Sequence, residues 1–259
     1  MKLSDFQCHV SQGFGGALVN YYPLLGHPGT DVPCGYGTPV KAIADGVVYS
    51  LYTPEKPAYD GFTAIYTIVE TPLETKEITY GHLSQIDVKI GDKITKGQVI
   101  GLEGNRGHVV AGGVLITQAM QKAGDKRGSH THFQCRPIIK TKVTDGKMLQ
   151  NAQGTYQDEN GFFYKIAMPT NGYAGCVDLL DPTFNKDLSW LQTNYYVRVL
   201  QRALIKLGFL AEGNDTGYFG NLTKKAVQDF QRASGISPLL GYVGPITRTL
   251  LNTLFPNVP

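Results

Sequence analysis

Two histidines separated by one residue, His130-Thr-His132, limit how this chain can fold. Side chains two residues apart share a face on a strand, not on a helix. The surrounding Ser-His-Thr-His-Phe-Gln is short and β-prone, so both imidazoles are expected on one face of one strand. Two further motifs carry histidines: His27-Pro-Gly-Thr-Asp31 and Gly81-His82-Leu-Ser84. His27 and Asp31 are four apart, roughly 13 Å along an extended strand. Pro28-Gly29 breaks that extension and argues against a helix, so a turn there lets the two side chains converge. Histidine and aspartate are zinc ligands, and a catalytic zinc keeps one position open beside three protein ligands. His27, Asp31 and one histidine of the third motif would supply those three. Two histidines are then left for acid–base work. His9 and His108 have no comparable context and are read as ordinary structural or surface residues.

The rest of the chain changes period once. Val40–Tyr49 alternates short apolar runs around Asp45-Gly46, a hairpin signal. Val88–Gly101 places Gly-Asp and Lys-Gly turns between short apolar strands. No long amphipathic helix interrupts residues 35–103, so an antiparallel β domain with its site on one sheet face is expected. Near residue 190 helical periodicity takes over. Val197, Leu200, Leu204 and Leu207 form one apolar stripe, closed by Gly208. Asn221 is read as the cap of a second helix, with Leu222, Ala226, Val227 and Phe230 inward and Gly235 ending it. Pro245 opens a third, with Ile246, Leu250, Leu251 and Leu254 inward. The expected fold class is α+β and multi-domain: an antiparallel β-sheet domain followed by a small three-helix bundle. The limits are residues 1–185, a linker at 186–194, and residues 195–259.

Several segments carry a family resemblance. They are Gly37-Thr-Pro-Val-Lys-Ala-Ile-Ala-Asp-Gly-Val-Val48, Thr79-Tyr-Gly-His-Leu-Ser84, Val88-Lys-Ile-Gly-Asp-Lys-Ile-Thr-Lys-Gly-Gln-Val-Ile-Gly101, and Gly128-Ser-His-Thr-His-Phe-Gln134. With Val177-Asp-Leu-Leu-Asp-Pro182 as a closing match, they resemble the lysostaphin- and LytM-type zinc endopeptidases, which hydrolyse peptidoglycan. The resemblance implies one zinc ion per chain, held by His27, Asp31 and His132. It leaves His130 and His82 as catalytic residues. His130 would be the general base; His82 would hold the developing oxyanion or protonate the leaving amine. Thr131 and Gln134 depart from the family's Leu and Glu, and neither is a ligand. Against the family pattern, Asn105–Gly128 and about Thr141–Gly175 are insertions. The first includes a helix-like stretch near Thr117–Ala123. The second carries Tyr156, Phe162, Phe163, Tyr164 and Tyr173, read equally as a substrate wall or as a small satellite core.

The helical segment resembles the three-helix peptidoglycan-binding domain of cell-wall hydrolases through Val199-Leu-Gln-Arg202, Leu207-Gly-Phe-Leu210, Gly217-Tyr-Phe-Gly220, Thr223-x-x-Ala226-Val227 and Phe230-Gln231. Most of those residues encode the helical core, so wall-contacting residues are not resolved. Residues 195–259 hold seven Lys/Arg and three Asp/Glu, while the remainder carries a net charge of −1. A basic module suits an anionic polymer. The scattered charges and the lack of a basic run argue against nucleic acid.

No apolar run approaches 18 residues, so no membrane span is expected. The start, Met1-Lys-Leu-Ser-Asp, lacks the apolar stretch of a signal peptide. Together these suggest a monomeric wall lysin acting outside the cell, with phage-encoded release from a host cytoplasm as one route. The four cysteines, Cys8, Cys34, Cys135 and Cys176, are scattered and read as buried thiols. Cys34 and Cys135 each follow a ligand candidate by three residues, which leaves a Cys-containing zinc site as an alternative. A non-catalytic wall-binding protein on a degenerate endopeptidase fold is the alternative function. Such relatives typically lack ligands, whereas all five candidate positions are filled here.

Overall fold

The computed structural model describes residues 8, 11, 29–53, 61–71, 73, 75–166 and 184–255. His27, Val177–Pro182, Tyr173 and Cys176 lie outside them. The chain divides into two compact units, one built mainly from residues up to Met168 and one mainly from Asp181 onwards.

The first unit is antiparallel β. Its strands are β1 Thr30–Val32, β2 Pro39–Lys41, β3 Gly46–Tyr52, β4 Ala64–Glu70, β5 Thr75–Gly81, β6 Gln85–Ile86, β7 Lys93–Ile94 and β8 Val99–Leu102. There follow β9 Val109–Ala111, β10 Val114–Ile116, helix α1 Gln118–Lys122, β11 Thr131–Thr141, β12 Gln150–Asn151, β13 Gly154–Thr155 and β14 Phe163–Ile166. The main sheet runs β1-β11-β5-β4-β3-β7, with β14 on the far end of β11. A smaller sheet runs β2-β8-β6, and β9-β10 and β12-β13 are separate hairpins.

Side chains alternate across the main sheet. On one face Ile65, Ile78, Tyr80 and Phe133 are buried, as are Val40 and Ile100 of the smaller sheet. The Tyr80 hydroxyl accepts from the Ile43 amide at 3.1 Å, tying β5 to the segment after β2. The other face carries His132, Gln134 and Arg136 along β11. Here Arg136 grips the buried Glu77 carboxylate at 2.7 and 2.8 Å, and the Tyr49 hydroxyl donates to it at 2.6 Å. Burial first, then the Glu77 charge, pushes the Tyr49 hydroxyl upward, so it stays a donor.

Two hairpin expectations are corrected. β2 and β3 do not pair across Asp45-Gly46, because β2 joins β8 and β3 joins β4. Gly46 is there for closeness instead: a Cβ would lie 2.6 Å from the Ile68 carbonyl oxygen. β7 and β8 likewise separate, β7 pairing β3. The buried-thiol expectation also fails. Cys8 and Cys34 form a disulfide with a Cα–Cα distance of 5.4 Å, and Cys135 is disulfide-bonded too.

The insertions resolve into structure. Thr117 caps α1, accepting from the Met120 amide. In the second insertion Leu149, Tyr156 and Tyr164 pack with Tyr49, Tyr66, Ile68 and Ile138. That is a satellite cluster, and it sits on the sheet face that carries His132.

The second unit holds α2 Tyr195–Lys206, α3 Asn221–Ala233 and α4 Pro245–Leu254. Asn194 caps α2 by accepting from the Val197 amide at 3.0 Å. Val197, Leu200, Leu204, Val227, Phe230 and Leu251 are buried as the periodicity requires. Three inward assignments are corrected: Leu222, Ile246 and Leu254 are 64, 67 and 45% exposed. The seams follow Thr223, Ala226, Val227 and Phe230 on α3, and Thr247 and Leu251 on α4. Leu222 and Ile246 lie one position off those seams, about 100° round the helix. The α3 cap is Gly220, one residue before Asn221. Buried Gln201 donates to the Tyr218 carbonyl and Thr223 and accepts from the Gly217 amide. Gln231 repeats this with Tyr242, Thr247 and Gly241. Among the described residues no helix is long and apolar enough to cross a membrane.

Candidate active site

Strand register brings two distant motifs together. β1 pairs β11 so that Asp31 stands directly opposite His132. Opposed residues share a face, and the Asp31 Oδ1 lies 2.8 Å from His132 Nδ1. On the other side of β11, His132 faces Gly81, the residue before His82. His130 enters just before β11, its amide donating to the Gly104 carbonyl at 3.1 Å. Its Nε2 is 3.6 Å from the same Asp31 oxygen. The His82 and His130 rings lie 4.5 Å apart, and His82 and His132 5.8 Å. Asp31, His82 and His132 are each at most 9% exposed. His27 lies outside the described residues. His108 is exposed, and His9 also lies outside the described residues.

Backbone carbonyls orient two of the rings. His82 Nδ1 lies 2.7 Å from the Arg106 carbonyl oxygen, and His130 Nδ1 2.7 Å from that of Gly128. A carbonyl only accepts, so both Nδ1 atoms carry the proton and the neutral rings keep a bare Nε2. His82 adopts φ 63°, uncommon for a non-glycine residue and a feature that concentrates at functional sites. Burial first, then His130 and His132, lowers its pKa well below the ordinary value, so it is neutral at pH 7. Phe62 meets it edge-on at 5.1 Å.

The donor set suits zinc. Bonds of about 2.0–2.1 Å in a tetrahedron put neighbouring ligand atoms about 3.3 Å apart. Asp31 Oδ1 and His132 Nδ1 at 2.8 Å need to open by only about half an ångström to share an ion. Among the described residues no three such side chains are gathered as a cage, and the third expected ligand is His27.

Two contributors, Glu103 and Phe62, belong to no motif, and Gly29 does more than turn the chain. Gly29 lies so close to β11 that a Cβ would sit 2.5 Å from His132 Cε1 and from the Phe133 oxygen. The carboxylate of buried Glu103 accepts from the Cys34 and Gly35 amides and from Ser129 Oγ. Phe62 fills the space beside Gly81 and Gly107. A charge inside the apolar Val-Ile-Gly-Leu-Glu-Gly run was the only hint of Glu103.

Residues 25–145 match peptidase family M23, and residues 193–251 match a peptidoglycan binding domain. The chain therefore carries a segment similar to M23 peptidase domains followed by one similar to peptidoglycan-binding domains. Over 83 residues it is 41% identical to the peptidoglycan DD-endopeptidase ShyA of Vibrio cholerae, covering 32% of this chain and 18% of that protein. Over 86 residues it is 36% identical to the glycyl-glycine endopeptidase ALE-1 of Staphylococcus capitis, covering 33% of this chain and 22% of that one. The solved structure of LytU is 26% identical, covering 50% of this chain and 74% of that chain, with a TM-score of 0.37. The chain thus spans about a fifth of the length of the curated relatives it matches.

Proposed function

We propose that this protein is a zinc-dependent endopeptidase that hydrolyses peptide bonds in bacterial peptidoglycan and is held on the wall by its C-terminal domain. The observation that carries the reading is the convergence of Asp31, His132, His130 and His82 inside an M23 domain. Both relatives named above are endopeptidases by name, ShyA a peptidoglycan DD-endopeptidase and ALE-1 a glycyl-glycine endopeptidase, and a segment matching a peptidoglycan binding domain follows in the same chain. We place the catalytic domain at 1–185, the linker at 186–194 and the wall-binding domain at 195–259.

His27, Asp31 and His132 would hold the ion. Bound there, zinc supplies Lewis acidity and makes water nucleophilic near neutral pH. His130 presents its bare Nε2 beside Asp31, so it takes the proton of the attacking water. His82 at rest also has a bare Nε2 and no donor there. It must gain a proton before it can give one, which suits protonation of the leaving amine better than a resting oxyanion contact. Asp31 Oδ1, 3.6 Å from His130 Nε2, stabilises the imidazolium that His130 becomes on taking the water's proton.

The site of action is the cell wall. The Cys8–Cys34 disulfide suits folding in an oxidising compartment, which favours export over release from a reducing cytoplasm. The test is zinc content and turnover on purified peptidoglycan for Asp31→Ala and His132→Ala. Both should lose stoichiometric zinc and nearly all lysis while remaining folded. Full zinc content in either variant overturns the ligand assignment.

A further inference from the structure

Glu103 belongs to none of the histidine motifs, yet it hydrogen-bonds residues beside all three. Its side chain is 1% exposed. The carboxylate accepts from the Gly35 amide at 2.7 Å, the Cys34 amide at 3.0 Å and Ser129 Oγ at 2.9 Å. Its carbonyl accepts from the Gly37 amide at 2.9 Å and from Ser84 Oγ at 2.8 Å. Cys34 follows Asp31 by three residues, Ser84 follows His82 by two, and Ser129 immediately precedes His130. The next residue, Gly104, accepts the His130 amide at 3.1 Å.

We propose that Glu103, acting through Ser129, is the positioning residue that sets where His130 stands relative to Asp31. The inference rests on the endopeptidase reading above for its catalytic consequence, though not for its structural one. The chain of contacts is continuous. The carboxylate holds Ser129 Oγ, and Ser129 follows Gly128, a turn residue at φ 67°. The Gly128 carbonyl in turn fixes His130 through Nδ1 at 2.7 Å. His130 stands outside the β11 ladder proper, so strand pairing alone does not orient it. Three donors converge on the carboxylate, and an ionised carboxylate is a group that accepts at every position. A glutamine would turn an NH2 toward one of the backbone amides.

The test uses the full chain with Ser129→Ala, Ser129→Thr and Glu103→Gln. Three readouts are taken: melting temperature, kcat and KM on a soluble muropeptide, and the 15N–1H signal of His130 Nδ1–H. Ser129→Ala should lower melting by a few degrees, leave KM unchanged, lower kcat per folded molecule about tenfold and expose Nδ1–H to rapid exchange. Ser129→Thr keeps the hydroxyl and should recover most of both losses. Glu103→Gln should show the same loss of His130 protection. An unchanged Nδ1–H signal in Ser129→Ala and Glu103→Gln overturns the proposal. So does a melting loss with kcat per folded molecule intact. A wild-type protein that cleaves no muropeptide sinks the endopeptidase reading instead, and the imidazole signal still decides the positioning role.

Discussion

Gly29→Ala is a one-carbon change with a large expected effect. The added methyl would lie 2.5 Å from the Phe133 carbonyl oxygen, 2.5 Å from His132 Cε1 and 2.6 Å from His132 Nε2. A relaxed carbon–oxygen contact is about 3.3 Å and a carbon–carbon contact about 3.5 Å. Both contacts must open by about 0.8–1 Å. The Phe133 oxygen is strand backbone and a ring tilt does not relieve it, so the chain entering β1 must shift as well as the His132 imidazole, and both movements disturb the Asp31–His132 pairing. Overpacking of this kind costs about 1–3 kcal/mol, and the lower entropy of unfolded alanine offsets about 0.4–1 kcal/mol. A net loss of about 1–2 kcal/mol lowers melting by about 2–8 °C for a unit of this size. Function should suffer more. Displacing a reacting group by about 1 Å costs about a hundredfold in turnover, and a ligand tilted out of place weakens metal binding about 10–100-fold. The assay is melting by circular dichroism, zinc affinity against a competing chelator, and turnover on muropeptide. Wild-type zinc affinity and turnover in a folded Gly29→Ala protein would falsify the claim that this close approach seats His132.

Further outcomes follow from the same contacts. Because the folded pKa of His82 is depressed, first by burial, the unfolded chain binds its proton near pH 6.5 while the folded chain does not. Stability from this group is thus present above pH 6.5 and lost as pH falls, at about 1.4 kcal/mol per unit; His82→Gln should flatten that slope in acid denaturation with chelator present. The Cys8–Cys34 disulfide closes a 26-residue separation, worth about 3.5 kcal/mol in the chain-entropy account, so a reductant should lower melting by several degrees; no shift would mean the bridge is absent in solution. Residues 194–259 carry their own caps and seams, so alone they should fold and sediment with purified peptidoglycan, less so as salt rises. Equal wall binding by residues 1–190 would remove the anchoring role.

Much of this was legible in the sequence because it rests on local periodicity. His130 and His132 had to project to one side, where both meet Asp31 although His130 stands one residue before β11, and the stripes at Val197–Leu204 and Ala226–Phe230 had to face inward. The misassignments mark where local reasoning stops. Asp45-Gly46 reads as a hairpin, yet its glycine answers to the Ile68 carbonyl of another strand. Leu222 and Ile246 are apolar at plausible positions, but the packed seam runs one residue away. Helix starts and stops are short-range matters of side-chain and backbone hydrogen bonding, so the chain places them to within a residue, as with Gly220 in place of Asn221. The pairing of Asp31 with His132 spans 101 residues and depends on strand register. The same holds for the disulfides, for Gly29 against the His132 ring, and for Glu103 beneath Ser129. Non-local contacts of that kind are set when sheets pack, because only packing decides which backbone amides meet a given carboxylate. Residue type and local period name the groups able to react; the packing of the sheets settles which of them meet.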